Sequence, residues 1–343
     1  MKRLIPLVLL LLICAQVDAQ TIRIKAVGDI MLGSTTPTKI LPAGNGEIFG
    51  TSIGEYLDGA DITFGNLEGV FVNGEFEPQK CSEASRNAKR CYEFGMPQNL
   101  VQSLKDMHFS VMSMDNNHNS DYGNAGVNFT KSLLKENGIR YAAKKAPIIM
   151  EIDGKKIGIA AFGHSSISYR VSDLVTAKQV IEDLDTKCDI VLVSFHGGAE
   201  GLNAQHVKDE TEEYYGENRG NLVQFSKTVI DAGADLVIGH GPHVLRGIDS
   251  YKDKLIIYSL GNFLTHGNVN IRDVRGNSAI MDIELDLTTG NLVSGQIIPT
   301  KQVGKGVAVY DESNKAIELI RNLSRADFPN SSLSITADGR ITK

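Results

Sequence analysis

Four of the eight histidines, His118, His196, His240 and His243, stand just beyond short apolar runs, and carboxylate and amide residues collect at the same places. Five such runs lead straight into polar residues: Val27-Gly28-Asp29, Phe64-Gly65-Asn66-Leu67-Glu68, Met114-Asp115-Asn116-Asn117-His118, Phe195-His196-Gly197-Gly198 and Ile238-Gly239-His240-Gly241-Pro242-His243. If the runs are strands of an open α/β sheet, their carboxyl ends share one crevice, where ligands bind in such sheets. Carboxylate, amide and imidazole donors gathered there form an oxygen and nitrogen set suited to one or two divalent ions, Zn, Mn, Fe or Mg. The interleaved glycines let backbone and ligand approach closely. Singly, each element has a plainer reading. Gly28-Asp29 reads equally as a turn, Asn117-His118 as turn residues, and His196 as a satisfied core histidine. The coincidence of all five carries the metal reading.

The elements that would position these groups follow from the hydrophobic pattern. Strand-like runs occur at 22–27, 61–64, 110–114, 156–162, 189–195, 236–238 and 255–258, separated by helical stretches at 97–107, 124–137, 176–187 and 218–232. Gly138 and Gly233 fall where helices end. Buried strands alternating with helices predict an α/β domain with largely parallel pairing. From residue 280 strict alternation over Ile280–Leu287, a turn at 288–291 and a second run to Ile298 predict an antiparallel C-terminal hairpin at a sheet edge. Beyond Lys301 the pattern offers one helix, 314–323. The domain is therefore expected over residues 20–300, with a C-terminal extension over 301–343.

Composition narrows the function. The 343 residues carry 35 basic and 41 acidic side chains and no tryptophan, which gives neither the positive surplus nor the stacking platform that nucleic-acid binding uses. Met1-Lys2-Arg3, the apolar run Leu4–Cys14 and the small residues before Gln20 read as a secretory signal peptide over residues 1–19. Lipid attachment at Cys14 or an uncleaved anchor are the alternatives. An exported chain is expected to be periplasmic or extracellular, and in that oxidising setting Cys81 and Cys91 are expected to pair across a polar loop. Cys188 reads as a buried hydrophobe. Lys208–Glu217 reads as a solvated helix or loop. Gly50-Thr-Ser52-Ile-Gly54 matches a serine-hydrolase pattern, but no strand leads into it and its glycine loop follows instead of preceding it.

The ordered segments Ala26-Val-Gly-Asp-Ile-Met-Leu-Gly33, Gly65-Asn-Leu-Glu-Gly69, Asn116-Asn-His-Asn-Ser-Asp121, Ser194-Phe-His-Gly-Gly-Ala-Glu200, Ile238-Gly-His-Gly-Pro-His-Val244 and Tyr258-Ser-Leu-Gly-Asn-Phe263 resemble the capsule-synthesis CapA, or poly-γ-glutamate synthesis, family. That family is similar to calcineurin-like metallophosphoesterases, which implies a two-sheet α/β sandwich with flanking helices. The resemblance implies that Asp29, Asn66 or Glu68, Asn117, His196 and His240 or His243 surround one or two metals, and that His118 donates a proton beside the reacting group. Glu200, Arg246 and Asn262 are the candidates for substrate contact; for Arg246 a surface salt bridge is the alternative. Three features depart from the metallophosphoesterase pattern: Met31 stands where a histidine is usual, Asn66 and Glu68 replace a bridging aspartate, and Gly241 replaces a histidine. The function implied is a metal-dependent exported protein acting on an anionic cell-envelope polymer or its precursor, in contact with membrane-bound synthesis machinery. A phosphoesterase and a non-catalytic polymer-binding accessory protein are the alternatives.

Overall fold

The computed structural model describes residues 20–88, 90–267 and 269–343. The signal peptide expected at 1–19 lies outside them. Two sheets face one another. The main path of the larger, ten-stranded sheet runs Ser334–Ile335, Arg340–Thr342, Leu292–Val303, Asn277–Asp286, Thr21–Met31, Ile62–Leu67, Val111–Ser113, Arg140–Ala142, with Asn262–Thr265 and Val307–Tyr310 paired alongside. The second, six-stranded sheet runs Ile248–Tyr251, Lys254–Ile257, Leu236–His240, Ile190–His196, Lys155–Phe162, Ile148–Ile152. In the smaller sheet the inner strands are parallel and antiparallel strands close both edges. In the larger sheet the strands from Thr21–Met31 out to the edge strand Arg140–Ala142 are parallel, and the hairpin Asn277–Asp286 with Leu292–Val303 joins Thr21–Met31 antiparallel, inside the sheet and not at its edge as expected.

Side-chain alternation explains the layering. On the inward face, Ile22, Ile24 and Ala26, then Ile62 and Phe64, meet Ile157, Ile159, Ile190, Leu192, Leu236 and Ile238 from the opposite sheet. The outward faces take the intervening residues. Val191, Val193, Phe195 and Val237 pack against the helices Leu174–Asp185 and Leu222–Asp231, while Val27, Ile30, Leu67 and Met112 pack against Glu47–Leu57, Val101–Asp106 and Gly123–Glu136. Strands buried on both faces read as continuous apolar runs, which is why they were legible. The side chains of Asp173 and Asn221 each accept a hydrogen bond from a first-turn backbone N–H, 3.0 Å in both cases, and so fix the starts of their helices. The result is the two-sheet sandwich with flanking helices that the resemblance implied.

Several expectations change. The boundary at residue 300 falls inside the strand Leu292–Val303, and the chain beyond it adds three further strands and the helix Lys315–Asp327 to the same sheet and core. These strands are short or half exposed, so their apolar pattern is weak. The helix Glu47–Leu57 was not anticipated, because Gly50 and Gly54 mask it. Both glycines lie against Asp106, where a Cβ would come within 2.8 and 3.0 Å of that residue. They serve close helix packing, which accounts for the serine-hydrolase look-alike. The acidic stretch forms a hairpin, Glu212–Tyr214 with Glu217–Gly220, and not a helix. Cys81 and Cys91 are disulfide-bonded, and Cys188 is half-buried.

Candidate active site

The inward-facing apolar rows end in polar residues. Ile62-Phe64 continues to Asn66, Ile190-Leu192 to Ser194 and His196, and Leu236-Ile238 to His240, so the carboxyl end of the inter-sheet core is where hydrophobic burial gives way to chemistry. Register completes the convergence: Asp29 lies opposite Asn66 on one side and Asn262 on the other, and His196 lies opposite His240. The pairing of Thr21–Met31 is irregular at Asp29, a bulge that re-aims the strand there. Gly28 is required at this point, since a Cβ would stand 1.9 Å from the carbonyl oxygen of Gly261.

A fully buried polar chain runs through the cluster. The Asn66 amide donates to Asp29 Oδ1 at 2.8 Å and lies 3.3 Å from His196 Nδ1, while its oxygen accepts from Asn116 at 3.0 Å. Both ends of Asn66 are thus used to hold neighbours, which makes it an orienting residue more than a ligand. His243 Nδ1 bonds the other Asp29 oxygen at 2.9 Å, and its Nε2 lies 3.5 Å from Glu68 and 3.8 Å from Glu200. The backbone of His243 sits at φ 56°, a left-handed conformation uncommon for residues other than glycine, and the ring lies in the cluster. His240 is directed elsewhere. Its Nε2 meets the Val27 carbonyl oxygen at 3.1 Å, Nδ1 lies 3.5 Å from Ser194 Oγ, and the ring packs against Phe64. Of the two histidines of the motif, His243 is the one placed to bind an ion.

Ligand atoms of Glu68, His196 and His243 lie within 4.8 Å of one another. The carboxylate oxygen Glu68 Oε2, His196 Nε2 and Asn117 Oδ1 are buried without any hydrogen-bond partner, an arrangement a native fold tolerates where a ligand satisfies such atoms. Charge points the same way. Burial, with help from Asp29 and Glu200 against the pull of His243, pushes the Glu68 carboxyl well above its usual range. Burial also opposes a charge on His243, yet Glu68, the Asp29 hydrogen bond and Glu200 lift it to about 10. Burial alone would raise Asp29, and the hydrogen bond and charge of His243 reverse that. Three carboxyl groups thus surround one imidazole ring and the cluster calls for positive charge, which the ring's own proton supplies and which a cation at His243 Nε2 would supply in its place. Burial keeps His196 far below its usual value and hence neutral, the form that ligates a metal. The donor set fits a divalent cation.

The cluster opens on a cavity of about 420 Å³ bordered by Glu68, Lys80, His118, Glu200, His243 and Asn262 among others. His118 Nδ1 bonds the buried Asp121 at 2.7 Å, its ring stacks on Phe94 with centroids 4.2 Å apart, and burial holds its pKa below the usual value. Glu200 is tied to Arg219 at 2.8 Å. Arg246 is absent from the cavity wall. It is fully buried, clasped through two nitrogens by Glu212 at 2.8 and 2.6 Å, and also donates to the carbonyl oxygens of Ala204 and Ala199. It is neither a substrate contact nor a surface salt bridge but an internal strut. Sequence reasoning passed over Lys80, Phe94, Asp121 and Arg219. For Asp121 a signal existed, its spacing three residues after His118; for the rest only the fold brings them near.

Comparisons with known proteins bear on the family and the fold. The chain is 28% identical over 262 residues to the capsule biosynthesis protein CapA of Bacillus anthracis, covering 69% of this chain and 58% of that protein. It is 28% identical over 278 residues to the PGA biosynthesis protein CapA of Bacillus subtilis, covering 72% and 66% respectively. The chain thus spans about three fifths of the length of the curated relatives it matches. Among solved structures a novel phosphatase from Mycoplasma pneumoniae superposes with a TM-score of 0.52 at 12% identity, covering 88% of this chain and all of that one, a likeness of fold. No helix among the described residues is long and apolar enough to cross a membrane. The family model for the bacterial capsule synthesis protein PGA_cap matches residues 23–266, a span that holds the whole cluster from Asp29 to Asn262, and the chain belongs to that family.

Proposed function

We propose that this protein is exported and acts as a divalent-metal-dependent hydrolase or transferase on an anionic envelope polymer or its precursor, in capsule or poly-γ-glutamate synthesis or processing. The observation that carries the reading is the meeting of Glu68, His196 and His243, with unpartnered buried donor atoms, at the floor of an open cavity. Glu68, His196 and His243, with Asn117 beside them, would hold a divalent ion, and the chemistry it would supply there is Lewis-acid polarisation of the scissile carbonyl or phosphoryl group. The chain's own residues do the rest. Asp29 and Asn66 hold His243 and His196 in place. Lys80 and Arg219 set positive charge on the wall against an anionic substrate. His118, its Nδ1 fixed by Asp121, takes up a proton and returns it to the leaving group.

The test is elemental analysis of gently purified protein beside Glu68→Ala and His196→Ala, with chelator-sensitive release of product from poly-γ-glutamate and from an aryl phosphate. The expected result is bound divalent metal in the parent and its loss in both variants, with activity following the metal. Turnover of the aryl phosphate alone makes the protein a phosphoesterase. Equal metal content in parent and variants overturns the proposal.

A further inference from the structure

We propose that the disulfide-closed loop from Lys80 to Phe94 is a positioning clamp for His118; the proposal rests on the reading of His118 as the group that handles the proton. The loop does not build the core. Its one helix, Glu83–Asn87, buries none of its residues. Its base, by contrast, is built with care. Cys81 and Cys91 are bonded, and the fully buried Glu93 accepts hydrogen bonds from Cys81 N at 2.8 Å and Arg86 Nε at 2.9 Å. Both ends of the loop then converge on one carboxylate. Asp121 Oδ2 accepts from Phe94 N at 2.7 Å and from His118 Nδ1 at 2.7 Å, and Lys80 Nζ lies 3.3 Å from Asp121 Oδ1. Lys80 also donates to the Asn117 carbonyl oxygen at 2.8 Å, and the Phe94 ring covers the His118 imidazole. One end of the loop therefore supplies the charge and the other the ring that together leave His118 a single orientation. The disulfide is what keeps the two ends side by side. Phe94, Lys80 and Glu93 are positioning residues, since each acts through His118.

Nuclear magnetic resonance of full-length protein carrying carbon-13 in its histidine rings reads the clamp without any substrate. The stacked Phe94 ring shifts the His118 ring protons upfield; His118→Gln assigns the signals, and Phe94→Leu gives their unshifted position. In Cys81→Ser/Cys91→Ser the signals are expected to move toward the Phe94→Leu position, while the remaining histidine signals keep theirs. Reduction of the folded parent by dithiothreitol gives the same readout without a mutation. Each sulfur takes up one electron and one proton as the S–S bond breaks, and the reagent closes to its cyclic disulfide. Unmoved His118 signals after two thiols have been counted overturn the proposal. Where a substrate is turned over, Cys81→Ser/Cys91→Ser and Phe94→Leu are expected to lower kcat about tenfold with KM nearly unchanged. A kcat equal to the parent's overturns the clamp. If nothing is turned over, the proposed function fails and the resonance shift still decides the clamp.

Discussion

Two regions around the cavity are held by different physics. In one, Asp29, Asn66 and His196 stand at or near the carboxyl ends of hydrogen-bonded strands, and all three are fully buried. Strand register, a bulge and the sandwich core fix them. In the other, the hairpin Glu212–Tyr214 with Glu217–Gly220 and the disulfide-closed loop stand on side-chain clasps: Arg246 with Glu212, and Arg86 with Glu93. The lesson is a division of labour. A sheet end places a few donors rigidly, as a metal needs, while clasped loops can change their tips without disturbing the donors. Changes on the strand side should therefore strike metal and chemistry together, and changes at the hairpin stability or binding; the disulfide-closed loop reaches the chemistry only through its hold on His118.

The sharpest way to break this contrast is Asp29→Ala. Asp29 holds both Asn66 and His243, so its loss frees one ligand and disturbs the orientation of another. Turnover is expected to fall by at least about 10³-fold with the metal lost, while the sandwich core remains intact. Kinetics beside elemental analysis read this; a variant that keeps its metal and most of its rate puts the reaction centre elsewhere.

Arg246→Met tests the loop side. It leaves Glu212, nearly buried, without its partner, and breaking a buried pair from one side costs about 3–5 kcal/mol. Urea unfolding should show this loss, and Arg246→Met/Glu212→Leu should recover most of it, because a matched apolar replacement removes both charges together. Metal content should not change. If the single variant is as stable as the parent, the clasp does not hold the hairpin.

How much of this was legible differs between the sides in the same way. The strand-end donors could be read because an apolar row of period two announces where it stops, and the polar residue at its end is conspicuous. The choice between His240 and His243 could not be read. It depends on a turn in which Gly241 takes φ 111° and His243 φ 56°, and nothing in the string of residues says which ring is swung inward. Arg246 was misjudged because its partner lies 34 positions earlier, in a stretch that looked like solvated charge. The Cys81–Cys91 pair was readable from the polar loop it closes, whereas the meeting of that loop with His118 was not, since Asp121 joins them only after folding.

The strand side should also carry an acid sensitivity. His164 is buried behind His196, with ring centroids 5.7 Å apart, and burial lowers its pKa to about 3. The unfolded chain, with an ordinary value near 6.5, then binds more protons than the native state below that pH. Stability from this group is complete above about 6.5 and is lost as pH falls toward about 3. His164→Gln should flatten that limb of a stability-against-pH curve measured by urea unfolding. An unchanged slope would mean that the ring reaches water in the native state.

The smallest effect is expected at the hairpin tip. Tyr215 is 90% exposed, at φ 49° beside Gly216 at φ 76°, the left-handed pair that a two-residue turn requires. It packs on Tyr214 and borders the cavity without touching the donor cluster. Tyr215→Ala should change unfolding free energy by no more than about 0.5 kcal/mol, because nothing buried is removed. If the tip lies against bound substrate, the loss of an aromatic face worth about 1 kcal/mol raises KM roughly fivefold and leaves kcat alone. A fall in kcat at constant KM would show the tip coupled to the metal side, and the separation between the donor strands and the hairpin would no longer hold.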